Sequence, residues 1–224
     1  MMNNSLNTRS ITFNLIMINV VVFLITQVKP EFMFEQFALY YPASPYFKPV
    51  QLITHMFMHA NMGHIFSNMF GLFMFGAILE RVWGPSRFLL FYFITGFGAM
   101  LMHTAVQAWM IHGLTGSFAP STLEVEYNHA ASMIYGIPTV GASGALFGIL
   151  VAFGMLFPNT EVAFIFIPIP IKAKYFVSLY VLFELYRGIA MQQGDDVAHF
   201  AHLGGALFGF ILVKIWNRDR TTLY

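Results

Sequence analysis

Gly141-Ala142-Ser143-Gly144 opens one apolar stretch of the chain, and Ala201-His202-Leu203-Gly204-Gly205 lies at the start of another. A hydroxyl and an imidazole inside a bilayer are costly unless they have partners and a task. The simplest task for this pair is nucleophilic catalysis, with Ser143 as nucleophile and His202 as base. Ser143 falls at a helix start, where free backbone N–H groups stabilise an oxyanion. Gly144 lets a substrate carbonyl approach that backbone closely. The plain alternatives stand beside these readings. Gly-Ala-Ser-Gly-Ala is also a helix-contact motif, and a buried histidine is often only a hydrogen-bonded structural residue. Phe147, one turn after Ser143, is placed to pack on an imidazole or to be ordinary core. His199, one turn before His202 on a similar face, is a rival base, and spacing alone does not separate the two.

A second cluster holds His55, His59, His64 and Asn68. His64 and Asn68, at i and i+4, share a helix face, so both can donate to one developing oxyanion. Zinc also favours imidazole, but the HExxH pattern is absent and no acidic residue lies among the histidines. No Asp or Glu is placed to orient the imidazole. Glu80 sits on the inner side, and Asp195 and Asp196 precede the last apolar segment. The expectation is a Ser–His dyad and no metal.

The elements that must position these groups are membrane helices. Charged residues make up 9% of the 224 residues and hydrophobic ones 58%, far from the roughly 25% charge of a soluble domain. The net charge of +1 and the lack of a Lys/Arg run argue against nucleic-acid binding. There is no cysteine, which excludes disulfides and thiolate chemistry. Six apolar segments, at about 11–28, 64–80, 88–111, 143–157, 173–191 and 198–216, predict an all-α bundle of six spans over a single domain, 1–224. The first reads as a span rather than a cleavable signal. The aromatic, proline-rich stretch 29–63 reads as a structured loop at the interface.

Six spans put both short tails on one side. The positive-inside rule makes that side cytoplasmic, because Arg9, Arg81, Arg87, Lys172, Lys174, Lys214, Arg218 and Arg220 then face inward. His64, Ser143 and His202 fall together near the outer side. From Ser143 to Pro158 is roughly 22 Å of helix, short of the ~30 Å hydrocarbon core. The serine therefore lies below the outer surface, reached by non-helical backbone through Pro138 and Gly141 and served by a water-filled cavity. Gly205 and Gly209 form a small-residue stripe. If that stripe packs on Gly144 and Gly148, the imidazole reaches the serine.

These residues resemble the rhomboid family of intramembrane serine proteases. The resemblance covers nearly the whole chain through Gly-x-Ser-Gly at 141–144, Ala-His-x-x-Gly-x-x-x-Gly at 201–209, and His64-x-x-x-Asn68 preceded by His55 and His59. It implies a six-transmembrane-helix rhomboid-like bundle and an intramembrane serine endopeptidase acting on transmembrane protein substrates without cofactor. By resemblance Ser143 is the nucleophile, and His202, followed three residues later by Gly205, is the base in preference to His199. His64, Asn68 and the Ser143 N–H match the oxyanion-stabilising groups, Gly205 and Gly209 the tight helix packing, and Glu80-Arg81 with Gly84 the inner end of the second helix. Family members often carry Trp-Arg in the first loop, where this chain has Val50-Gln51, and many have Tyr at the place of Phe147; neither change touches the dyad. The short tails and the lack of a targeting sequence fit a bacterial plasma membrane, with the site expected to open outward; the fifth span, carrying Tyr175, Phe176, Leu179, Tyr180 and Phe183, is the expected lateral gate. A non-catalytic rhomboid-like protein binding membrane clients is the alternative. A transporter is disfavoured by the lack of paired acids and of an internal repeat.

Overall fold

Helix α1, Ile11–Val28, begins at an N-cap serine: Ser10 Oγ accepts from the Phe13 N–H. Its start is also held from outside. The Glu80 carboxylate accepts from Ile11 N (2.7 Å), Thr12 N (2.9 Å), Ser10 Oγ (2.8 Å) and Thr12 Oγ1 (2.7 Å). A carboxylate suits the positive end of the helix dipole, so Glu80 ties the start of α1 to the helix that carries it. The computed structural model describes residues 10–164, 167–190 and 196–217. Arg9, Arg218 and Arg220, which enter the orientation argument, and Asp195, considered as a partner of the imidazole, lie outside these.

The stretch after α1 is built of short helices, α2 (Pro30–Phe37) and α3 (Gln51–Thr54), followed by a 3₁₀ turn, His55–Phe57. Its organiser is Gln51, which is wholly buried. The Gln51 amide nitrogen donates to the carbonyls of Glu35 and Tyr46, both at 3.1 Å. Its oxygen accepts from Lys48 N at 3.0 Å and Tyr40 N at 3.4 Å. One uncharged side chain thus satisfies four backbone groups of the loop, the full capacity of a primary amide.

Asn61 caps α4 (Met62–Gly71), accepting from His64 N at 2.9 Å. The helix runs through a π-helical turn, Leu72–Gly76, into α5 (Ala77–Trp83) and stops at Gly84, whose φ of 81° suits glycine. α6 follows at once, Pro85–Thr115, with proline in its first turn. Two short helices, α7 (Thr122–Glu126) and α8 (His129–Gly136), lead to α9, Ser143–Leu156. Then come an antiparallel hairpin, β1 (Glu161–Phe164) and β2 (Ile167–Lys172), and helices α10 (Ala173–Ile189) and α11 (Asp196–Trp216).

Among the described residues, four helices are long and apolar enough to cross a membrane: Ile11–Val28, Met62–Trp83, Pro85–Thr115 and Ala198–Trp216. Of the other two expected spans, α9 has 14 residues and α10 has 17. The hairpin corrects the all-α expectation locally. Its isoleucine–proline alternation, Ile167-Pro168-Ile169-Pro170-Ile171, disfavours helix at every second residue.

α9 lies at the centre, with every residue from Gly144 to Gly154 buried. It packs against α6 and α11, while α10 packs on α11 and α9. The main core gathers Leu15, Leu72, Phe88, Phe91, Ile149 and Leu156. Large apolar side chains such as Leu24, Leu101, Leu179 and Ile215 point outward, as expected where hydrocarbon is the solvent.

Candidate active site

The chain enters α9 as extended backbone. Leu39 and Thr139 exchange backbone hydrogen bonds (2.9 and 2.7 Å), and Gly141 N donates to His55 O at 2.9 Å. Thr139 Oγ1 is bonded to His103 Nε2 on α6 at 2.5 Å. Three separate elements therefore hold the strand that delivers Ser143. Gly141 has φ 129°, a region open to glycine. A Cβ there would lie 2.7 Å from His64 Nε2 and 3.6 Å from Ser143 Oγ. The imidazole of His64 thus fills the space that glycine leaves, beside the serine hydroxyl.

Ala142 stands at the N-cap of α9, which has no side-chain cap among the described residues. Gly205 faces the Gly144 backbone, and a Cβ on it would overlap the Gly144 carbonyl oxygen. One turn on, a Cβ on Gly209 would meet Gly148 Cα at 2.7 Å. This contact brings His202 to the serine: its Nε2 lies 2.9 Å from Ser143 Oγ. Phe147 stacks on the His202 ring, centroids 4.2 Å apart and planes at 10°. Both Ser143 and His202 are half-buried.

Asn68 is 4% exposed, and its amide nitrogen has no hydrogen-bond partner among the described residues. His59 is wholly buried and meets the His64 ring edge-on at 4.9 Å. His55 lies with Ser143, His103, Thr139 and Gly96 around a cavity of about 30 Å³, room for one or two waters.

Spacing misses one residue. Glu184 of α10, 4% exposed, places Oε2 at 2.8 Å from His202 Nδ1 and 2.7 Å from His199 Nδ1. The expectation that no carboxylate reaches the imidazole is corrected. The available signal is a glutamate inside an apolar segment, which marks a site by default. His199 does not reach the serine in this arrangement; it shares the carboxylate with His202. The ligand atoms of Glu184, His199 and His202 lie within 4.8 Å of one another, close enough for a metal ion. A metal on Nδ1 of neutral His202 would leave the proton on Nε2, which would then donate to Ser143 instead of accepting from it.

Comparison with known proteins agrees with this architecture. The Rhomboid domain model matches residues 46–218, and the chain belongs to the rhomboid family. It is similar to Rhomboid protein 1, mitochondrial, of Saccharomyces cerevisiae, 28% identical over 91% of this chain and 52% of that protein. It is also similar to Rhomboid-like protein 11, chloroplastic, of Arabidopsis thaliana (28%, over 92% and 65%). Rhomboid-like protease 3 of Toxoplasma gondii is 26% identical over 81% and 57%. The chain spans about half the length of the curated relatives it matches. It is an integral membrane protein. The expected bacterial plasma membrane gains no support from relatives named as mitochondrial and chloroplastic.

Proposed function

We propose that the chain is an intramembrane serine endopeptidase that cleaves transmembrane protein substrates. The observation that carries this reading is the 2.9 Å contact between Ser143 Oγ and His202 Nε2 at the uncapped start of α9. A nucleophile bonded to a base, and a base bonded in turn to a third group, is the signature of covalent acyl transfer.

A substrate helix unwinds locally at the site, because helical hydrogen bonding shields its carbonyls. The Ser143 hydroxyl attacks the scissile carbonyl carbon while its proton passes to His202 Nε2. The carbonyl electron pair moves onto oxygen, and the oxyanion is received by the Ser143 N–H, His64 and Asn68. A buried Asn68 amide nitrogen with no partner among the described residues supports this role, since such a donor is costly unless an acceptor arrives. The oxyanion then re-forms the carbonyl, the scissile C–N bond breaks, and the imidazolium gives its Nε2 proton to the leaving amine, which leaves an ester on Ser143. Water from the adjoining cavity, activated by His202, releases the acyl group. The chemistry needs no cofactor. In the six-span frame the substrate enters from the outer side past α10, where Tyr175, Leu179 and Phe183 are exposed. A crosslink between α4 and α10 that leaves cleavage unchanged would overturn that route.

A serine-reactive fluorophosphonate tests the reading. Wild-type protein is expected to be labelled at Ser143, and His202→Ala protein only at background rate. A folded wild type that resists labelling and cleaves nothing would favour a client-binding rhomboid-like protein.

A further inference from the structure

We propose that Glu184 is a positioning residue for His202, its carboxylate fixing the histidine tautomer and holding the ring for proton exchange with Ser143. This rests on the assignment of Ser143 and His202 as nucleophile and base. It extends that pair to a chain of three groups drawn from α9, α11 and α10.

Hydrogen-bond chemistry makes the argument. An ionised carboxylate only accepts. The same Glu184 oxygen lies 2.7 Å from His199 Nδ1 and 2.8 Å from His202 Nδ1, so both nitrogens donate to it. A neutral imidazole has one N–H. In His202 it is then on Nδ1, and the Nε2 lone pair faces the Ser143 hydroxyl at 2.9 Å. That is the tautomer a base requires. The opposite one would present N–H to the serine and could not take its proton.

Burial explains why two histidines share one acid. A carboxylate only 4% exposed within an apolar bundle is costly without partners. His199 supplies a second donor to the oxygen that binds His202, which keeps the carboxylate in place while His202 changes protonation. Phe147 covers one face of the His202 ring, so stacking sets the plane and Glu184 sets the rotation within it. When the serine proton arrives on Nε2, the imidazolium keeps its Nδ1–H, and its positive charge sits against the Glu184 negative charge. The carboxylate does not take up the proton. Among the described residues, the titratable groups around His202 are Glu184 and Tyr180 from α10, His199 on its own helix and His64 from α4, and Glu184 is the carboxylate among them.

The test compares wild-type, Glu184→Gln and Glu184→Asp proteins, each checked for folding by thermal melting in detergent. Cleavage of a single-span substrate is followed against pH. Glutamine is expected to lower kcat at least 100-fold with KM changed less than threefold. The acid limb should move to lower pH, because the imidazolium loses its counter-charge. Aspartate should recover at least a tenth of wild-type kcat with the acid limb near its original position. A folded Glu184→Gln protein within threefold of wild-type kcat, its acid limb unmoved, would overturn the proposal. Nitrogen-15 NMR of histidine-labelled wild type, with His199→Gln for assignment, needs no Glu184 variant to fold. Protonated Nδ1 and unprotonated Nε2 are expected for His202, and the reverse pattern overturns the inference. A wild type that neither cleaves nor labels overturns the protease assignment itself, whereas an active wild type with an unaffected Glu184→Gln protein overturns this inference alone.

Discussion

Gly205 of α11 sits so close to Gly144 of α9 that a methyl group on it would overlap the Gly144 carbonyl oxygen. The obstacle is backbone, which cannot rotate away as a side chain can. The spacing between these two glycines sets the distance between Ser143, next to Gly144, and His202, one turn before Gly205.

Gly205→Ala is therefore expected to push the two helices apart. Overpacking costs about 1–3 kcal/mol, and the melting temperature in detergent should fall by several degrees. Turnover should fall further than the folded fraction does, because a shift of about 1 Å at a reacting pair is costly by itself. A variant with normal melting and normal turnover would show that the contact sets nothing.

Phe147 lies flat on His202, with centroids 4.2 Å apart. Phe147→Leu keeps apolar bulk and removes the stacked ring. An aromatic pair is worth about 0.5–1.5 kcal/mol, so kcat should drop by up to about tenfold with KM little changed. Steady-state kinetics on a single-span substrate checks this, and a change confined to KM would contradict it.

Glu80 receives four hydrogen bonds from the start of α1. Glu80→Gln removes the charge and leaves donors facing donors, a loss of about 1.5–3 kcal/mol for bonds to a charged group. Melting temperature should fall, while turnover per folded molecule stays as in wild type. Unchanged stability would mean that α1 is held mainly by lipid-facing and core contacts.

His55 and His59 predict a pH dependence of stability. Burial lowers the pKa of His55 from its ordinary 6.5 to about 4. Burial, with neighbouring His64, lowers that of His59 to about 4. In the unfolded chain both protonate near 6.5. Between that pH and about 4 the unfolded state binds more protons, so stability is fully present above 6.5 and is lost as pH falls through the window. Melting in detergent over this range should show the decline, shallower in His55→Gln. A flat profile would contradict buried neutral histidines.

Much of the site is legible because its geometry comes from local rules. Ser143 follows glycine and proline that break helix, and Gly144, Gly148, Gly205 and Gly209 advertise a close helix contact. Those signals identify the segments that bring serine and histidine together. Glu184 is harder to read. It lies 18 residues before His202 on another helix, and nothing in its spacing marks it as a partner. Only its cost in an apolar segment marks it, and Lys174 and Arg187 on the same helix blur that signal. Gln51 is likewise silent in sequence. Its four bonds depend on how the loop folds back, not on its neighbours. The hairpin at 161–172 escapes because an apolar run with prolines reads equally as a connection between spans.

The central claim is that Ser143 and His202 form the machinery of a membrane protease. Its most direct test is cleavage of a single-span substrate by purified wild-type protein, with Ser143→Ala and His202→Ala proteins alongside. Cleavage by wild type, lost in both folded variants, is the predicted result. Cleavage that persists in folded Ser143→Ala protein would contradict it.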